Sequence, residues 1–503
     1  MTPKEALPRE ETLDPQDWDA MRLLGHRMVD DMMDYLQTIR DRPVWQPIPP
    51  EIRSRFKEPL PVRPQGAAKP YQEFLETVLP YNLGTSHPRF WGWVCGPGTP
   101  LGMLADMLAS AINPNMGGAH HVPNYVEAQV IDWSKEMLGF PPEASGVLVN
   151  GGSMANLICL AVARNSIQEI DLRRHGLHAS PRRLMVYASS EAHSSNQKAI
   201  ELLGLGSESY RKIPVAKDFR VDPAALKQAI ADDRAAGYQP ICIIGCCGTT
   251  NTGAIDDLPQ LARICSEERL WFHVDGAFGA LAALSPSLRP LVQGIELADS
   301  LAADFHKWVY LPYDVGVVLV RDHQKHLDAF TLTPDYLAHH GDRGTGSGPH
   351  WFSDYSYETT RRFRALKVWM CLKEHGVEKI GRVIKQNVDQ ARYLAQLIDA
   401  NPDLENLSPV SLNVVNFRFR ADGLAGDALD LLNQELLIRL QESGAAVPSN
   451  TRLDSKFALH VAITNHRSKR EDFDLLVAET VRLGKQLLQR PNNSMEPTRP
   501  AGS

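Results

Sequence analysis

Cysteine is scarce and scattered in this 503-residue chain. The seven, at positions 95, 159, 242, 246, 247, 265 and 371, form no C-x-x-C pair and no paired metal-type spacing. That excludes a disulfide framework and points to a reducing compartment. No stretch approaches 18 consecutive apolar residues. The first thirty residues, MTPKEALPREETLDPQDWDAMRLLGHRMVD, open with charges and prolines rather than the apolar core of a signal peptide. The expectation is a cytoplasmic protein that does not cross a membrane. Clusters of lysine and arginine are also missing, and the net charge is −7. The chain therefore offers neither the basic face nor the recognition helix that a nucleic-acid-binding regulator needs. There is no H-E-x-x-H motif and no internal repeat. His120, His121 and Glu127 lie close in sequence, but adjacent histidines on a regular element diverge, so no metal site is expected.

What remains is an ordinary globular composition, 43% hydrophobic and 22% charged, in a chain too long for a single core. Between Asp14 and Arg40, apolar residues three and four apart mark an amphipathic helix. The proline-rich stretch RPVWQPIPPEIRSRFKEPLPVRP follows, an extended arm that must lie on another surface, and a partner subunit would provide one. From Phe90 to Arg321, helical stretches alternate with the β-rich runs GVLVN, RLMVYAS, PICIIGCCG, LWFHVDGAF and VGVVLVR. Such alternation predicts a mostly parallel sheet, with ligands at the carboxyl ends of its strands. Residues 331–360, rich in Gly, His, Ser and Tyr, read as a long, mobile loop, of a length that is usually disordered or functional. Beyond about 380, a long helix, the strand LNVVNFRFR, another helix and the strand FALHVAIT suggest a small α+β unit, followed by a polar tail.

The residues just after the strands carry the chemistry. Asp275 in HVDGAFG would stand at the sheet edge, with Gly276 and Ala277 leaving room for a flat ring. Lys307 in DFHKW follows after about one strand–helix–strand step, and so returns to the same edge. A partly desolvated amine facing a carboxylate meets the demands of pyridoxal phosphate. The amine attacks the aldehyde, and the carboxylate keeps the pyridine nitrogen protonated. In VLVNGGSMAN, a strand, two glycines, Ser153 and a helix start supply the N–H donors that a phosphate requires. His193 in SSEAHSS could stack on the ring, and Thr249 in GCCGTTNTG could touch it from the side.

These motifs, in this order and spacing, resemble the group II pyridoxal-phosphate-dependent amino acid decarboxylases, the family of the aromatic L-amino acid, tyrosine, histidine and glutamate decarboxylases. HPRFWGW and GMLADMLASAINPN extend the resemblance to about residues 15–485. It implies a fold-type I, aspartate aminotransferase-like α/β architecture. An N-terminal helical arm (1–85) would wrap the other subunit of a homodimer. A large domain (86–380) would be built on a seven-stranded, mostly parallel sheet, followed by a small α+β domain (381–490) and a disordered tail (491–503).

The resemblance also implies residue roles. Lys307 would be the Schiff-base lysine, with His306 beside it, and Asp275 would pair with the ring nitrogen. Ala277 and His193 would take the two ring faces. Gly152, Ser153 and Asp304 would lie at the phosphate and Thr249 against the cofactor, with Tyr355 or Tyr357 as the loop tyrosine that protonates the product carbanion. Trp93, Asn115, Gly117 and His120 would line a substrate pocket at the subunit interface. The segment NPNMGGAHHVP lacks the bulky apolar residues usual in aromatic-acid enzymes, so an acidic or polar substrate stands beside an aromatic one. An aldehyde-forming variant and an aminotransferase using Arg467 are further alternatives.

Overall fold

The computed structural model describes residues 11–167, 169–332 and 343–489. The expected tail (491–503) lies outside these. Its larger sheet uses strands β2 to β8, counted after a short β1 (Phe90–Trp91). They are β2 (Ser145–Val149), β3 (Leu184–Ser189), β4 (Tyr210–Ile213), β5 (Gln239–Cys246), β6 (Trp271–Asp275), β7 (Ser300–Asp304) and β8 (Gly316–Val320). The order across the sheet is 2-8-7-6-5-3-4. All neighbouring pairs run parallel except those made by β8, which is antiparallel to both β2 and β7. This is the seven-stranded, mostly parallel sheet that the resemblance implied.

The fully buried strand β7 did not read as a strand. Ser-Leu-Ala-Ala-Asp has weak β propensity, and its place between β6 and β8 makes it one. The short edge strand β4 was missed as well. Sheet register then decides the site. Asp275 pairs with Ala302 and Asp304 with Gly316, so both carboxylates end their strands on one edge, and the short helix Phe305–Trp308 carries Lys307 back over it.

The second sheet contains β9 (Leu404–Asn406), β10 (Val414–Phe419), β11 (Val447–Leu453) and β12 (Lys456–Ala462), in the order 1-11-12-10-9. Here the structure departs from the expected boundary at residue 86, because β1 joins this sheet by pairing parallel with β11. Trp91 stacks on Phe473 within the second core, 4.8 Å between ring centroids. The border expected at residue 380 falls inside the helical segment Ala365–Asp399. The segment breaks at Gly376, whose φ of 69° is left-handed backbone that glycine adopts without strain. Within the proline-rich arm the extended reading is interrupted by a helix, Pro50–Arg55. The preceding helix Trp18–Gln37, capped by Asp17, buries none of its residues within the chain.

Candidate active site

A cavity of about 430 Å³ opens at the carboxyl edge of the large sheet. Nine of the residues singled out from sequence line it: Gly152, Ser153, His193, Thr249, Asp275, Ala277, Asp304, His306 and Lys307. Asp275, the last residue of β6, is held by a polar network. Its Oδ2 accepts from the side-chain amides of Asn156 and Asn196, each at 2.9 Å, and its Oδ1 from the Ala277 N–H at 3.3 Å. Asn156 Oδ1 in turn lies 3.0 Å from His273 Nε2, and His273 Nδ1 lies 3.0 Å from Ser300 Oγ. Burial pulls the His273 pKa down to about 4. Because Asn156 turns its amide N–H to Asp275, its oxygen faces the ring, so neutral His273 donates from Nε2 and accepts from the Ser300 hydroxyl at Nδ1.

Lys307 Nζ lies 3.1 Å from Asp304 Oδ2, and His306 Nε2 lies 3.7 Å from the same oxygen. His193 caps the helix Ser194–Leu202. Its Nδ1 accepts from the Ser195 N–H at 3.2 Å, which leaves the ring proton of the neutral form on Nε2. Burial lowers the pKa of His306, and partial loss of water at the cavity wall lowers that of His193, so both rings favour the neutral form around pH 7. Thr249 Oγ1 sits 2.9 Å from Thr252 Oγ1 and accepts from the Ala254 N–H.

Three observations test whether the cavity suits pyridoxal phosphate. The helix Gly152–Asn165 begins at the cavity wall behind Gly151, whose φ of 128° needs glycine, and the first N–H groups of a helix have no acceptor within it. A methyl group on Gly152 would stand 2.9 Å from Asp304 Oδ2 and 3.2 Å from Ala277 Cβ, so only glycine keeps this cradle open. Finally, an amine and an amide-held carboxylate line the same space. The residues fit the group.

The sequence reading missed Asn156, Asn196 and His273. A polar residue on the buried face of the helix after NGGS was the available signal. It also missed Tyr313, which lines the cavity with its ring 4.6 Å from that of His306 and is 47% exposed.

Six expected site residues, Tyr355, Tyr357, Trp93, Asn115, Gly117 and His120, do not line the cavity. Tyr355 ends the turn Phe352–Tyr355 with its hydroxyl 3.2 Å from His323 Nε2 and its ring against His326, so the structure does not bring it to Lys307. Tyr357 is exposed. Trp93, 53% exposed, donates its backbone N–H to Ser449 beside the second sheet. Asn115 lines a separate pocket with Arg361, Arg364 and Lys367. Its Oδ1 accepts from the N–H groups of Gly117 and Arg361, at 3.1 and 3.0 Å. His120 Nδ1 lies 3.2 Å from Ser347 Oγ. Among the described residues no cluster of three or more His, Cys, Asp or Glu could hold a metal.

A lysine and a braced aspartate sharing a glycine-floored cavity at the carboxyl edge of such a sheet define a pyridoxal phosphate site on a fold-type I scaffold. Residues 50–420 match the pyridoxal-dependent decarboxylase conserved domain, and the chain belongs to that family. It is a carboxy-lyase with pyridoxal phosphate as cofactor. It is 34% identical to an aromatic-L-amino-acid decarboxylase of Bacillus atrophaeus, over 90% of this chain and 93% of that one. It is 28% identical to a phenylacetaldehyde synthase of Arabidopsis thaliana, over 90% and 93%. The crystal structure of Oryza sativa TDC with PLP and tryptamine superposes with a TM-score of 0.86 at 26% identity, covering 95% of this chain and all of the other.

Proposed function

We propose that the protein removes carbon dioxide from an aromatic L-amino acid to give the corresponding amine. The observation that carries this is a cavity that unites Lys307, Asp275 and His193 without an arginine among its described lining residues. An aminotransferase must clamp the substrate carboxylate, commonly with arginine, whereas a decarboxylase must leave it free to depart. Arg467, the sequence's candidate clamp, instead points its guanidinium at the carbonyls of Ser86 and Pro97.

In this reading Lys307 Nζ is the attachment point for the cofactor aldehyde. Gly152, Ser153 and the helix start behind them hold the phosphate, His193 and Ala277 flank the ring, and Thr249 and His306 border it. Bound there, pyridoxal phosphate supplies the electron sink for the electron pair that departing carbon dioxide leaves on the α-carbon. Asp275 keeps a proton on the pyridine nitrogen. The two asparagine amides hold its carboxylate in place without competing for that role, because they donate to Oδ2 only. His193, neutral with its proton on Nε2, can donate a hydrogen bond into the cavity without adding charge.

The active assembly is a homodimer in this proposal. Trp18, Leu23, Phe56, Leu60 and Val62 of the N-terminal arm, and Met107, Leu108 and Ile112 of the helix Pro100–Ile112, are all exposed on the single chain. So much apolar surface on one side of the sequence calls for a covering partner. Trp93, Asn115, Gly117 and His120 then serve at the interface, where each chain helps to wall the other's cavity. All seven cysteines are free, which fits a cytoplasmic location.

The test is carbon dioxide release from a panel of L-amino acids by the cofactor-loaded protein, beside Lys307→Ala. Release from tyrosine, tryptophan, phenylalanine or DOPA, abolished in the variant, is expected. Release only from acidic or imidazole side chains would replace the aromatic reading. Aldehyde and hydrogen peroxide formed with the carbon dioxide would favour the oxidative outcome, the reading to which the similarity to phenylacetaldehyde synthase lends weight.

A further inference from the structure

We propose that Asp304 is the resident counter-ion of Lys307 and an electrostatic competitor of the cofactor phosphate, so that it limits cofactor loading instead of gripping the phosphate. The inference rests on the cavity being a pyridoxal phosphate site. It reassigns a residue that the family resemblance placed among the phosphate's holders.

Four observations carry it. Asp304 ends β7 and is 1% exposed. Its Oδ2 pairs with Lys307 Nζ at 3.1 Å, while its Oδ1 is buried and has no hydrogen-bond partner. Three glycines enclose the carboxylate: a methyl group would stand 2.7 Å from Oδ1 on Gly316, 2.9 Å from Oδ2 on Gly152 and 3.8 Å from Oδ1 on Gly151. Finally, Gly151 and Gly152 also begin a helix at the cavity wall, where the first backbone N–H groups have no acceptor within the helix.

The carboxylate is thus built into the phosphate cradle itself. A buried carboxylate is held by charge or by donors, and here the Lys307 ammonium is its closest cation. A phosphate entering the same cradle brings more negative charge against Asp304, at short range and out of water, where Coulomb repulsion is strong. Capture of the cofactor by Lys307 also ties up the amine that balanced Asp304. Both effects oppose loading, and both disappear if the side chain keeps its shape but loses its charge.

The experiment uses the purified protein after its cofactor has been removed, with no amino acid present, so its outcome does not depend on the decarboxylase reading. Asp304→Asn and wild type are titrated with pyridoxal phosphate, with pyridoxal lacking the phosphate, and with inorganic phosphate alone. Visible absorption reports the first two and calorimetry the third. The substitution is expected to tighten pyridoxal phosphate and inorganic phosphate by about tenfold each and to speed loading, with a smaller gain for pyridoxal. A merely structural role would weaken all three ligands. Weaker pyridoxal phosphate binding by a variant that melts like wild type would overturn the proposal, and so would equal gains for pyridoxal and pyridoxal phosphate. Asp304→Ser, also neutral and smaller, is the second variant if the asparagine form does not fold, and the same direction is required of it.

Discussion

Asp275 owes its usefulness to neighbours more than to its own position. A carboxylate at the end of a strand is commonplace, but one with two asparagine amides on Oδ2 is held and aimed. Removing one of these donors should therefore register at the cofactor. Asn156→Ala is expected to weaken pyridoxal phosphate binding by about tenfold, in line with the value of a hydrogen bond to a charged group, with the fold intact by circular dichroism. Tyr355 gives the opposite expectation. Its hydroxyl faces His323 and its ring packs against His326 within its own chain, so it is engaged there and not offered to either cavity. Tyr355→Phe should therefore keep kcat within about threefold of wild type, against the hundredfold or greater loss due on removing a true general acid. A large loss of kcat in Tyr355→Phe would restore it to the catalytic set. The third tyrosine between residues 331 and 360, Tyr336, lies outside the described residues and is the next to substitute.

At the scale of elements, the decisive contacts join stretches distant in sequence. Glu127 and Arg361 are both fully buried and form an ion pair. Arg361 also donates to the carbonyls of Met116 and Leu148, and its backbone N–H binds Asn115. One side chain thus ties the segment around Asn115 to β2 and to the root of the helix Ala365–Asp399. Arg361→Ala strands a buried carboxylate, and a loss of about 3–5 kcal/mol is expected, read as a lower urea midpoint. The N-terminal half of the chain shows how far elements could be read in advance. The amphipathic helix after Asp14 and the glycine-flanked strand before Gly151 were legible, because each is specified by local periodicity and turn residues. Strands β1, β4, β7, β9 and β11 were not. They are short or carry residues indifferent to strand structure, and only their partners stabilise them.

For the whole molecule, buried neutral histidines tie stability to pH. His87, His273 and His466 have pKa values lowered to about 4, and His326 to about 3, in each case chiefly by burial. The unfolded chain, with these groups near 6.5, binds more protons. Their contribution is therefore complete above pH 6.5 and is lost as the pH falls toward 4, with each group costing about 2 kcal/mol by pH 5. Urea midpoints at pH 7.5 and 5.0 should differ accordingly, and equal midpoints would contradict this burial.

Sequence alone determined the chemistry on offer: a lysine, an aspartate and a glycine-serine helix start, each after a strand, because strand-end and turn signals are local. The tertiary structure decided which of them meet. Register brought Asp304 into the glycine cradle built from residues 151, 152 and 316, and packing set Asn156 and Asn196 on Asp275. It also left Tyr355, Trp93, Asn115, Gly117 and His120 outside the cavity of their own chain. Such meetings depend on contacts between residues far apart in the chain, which no local pattern encodes.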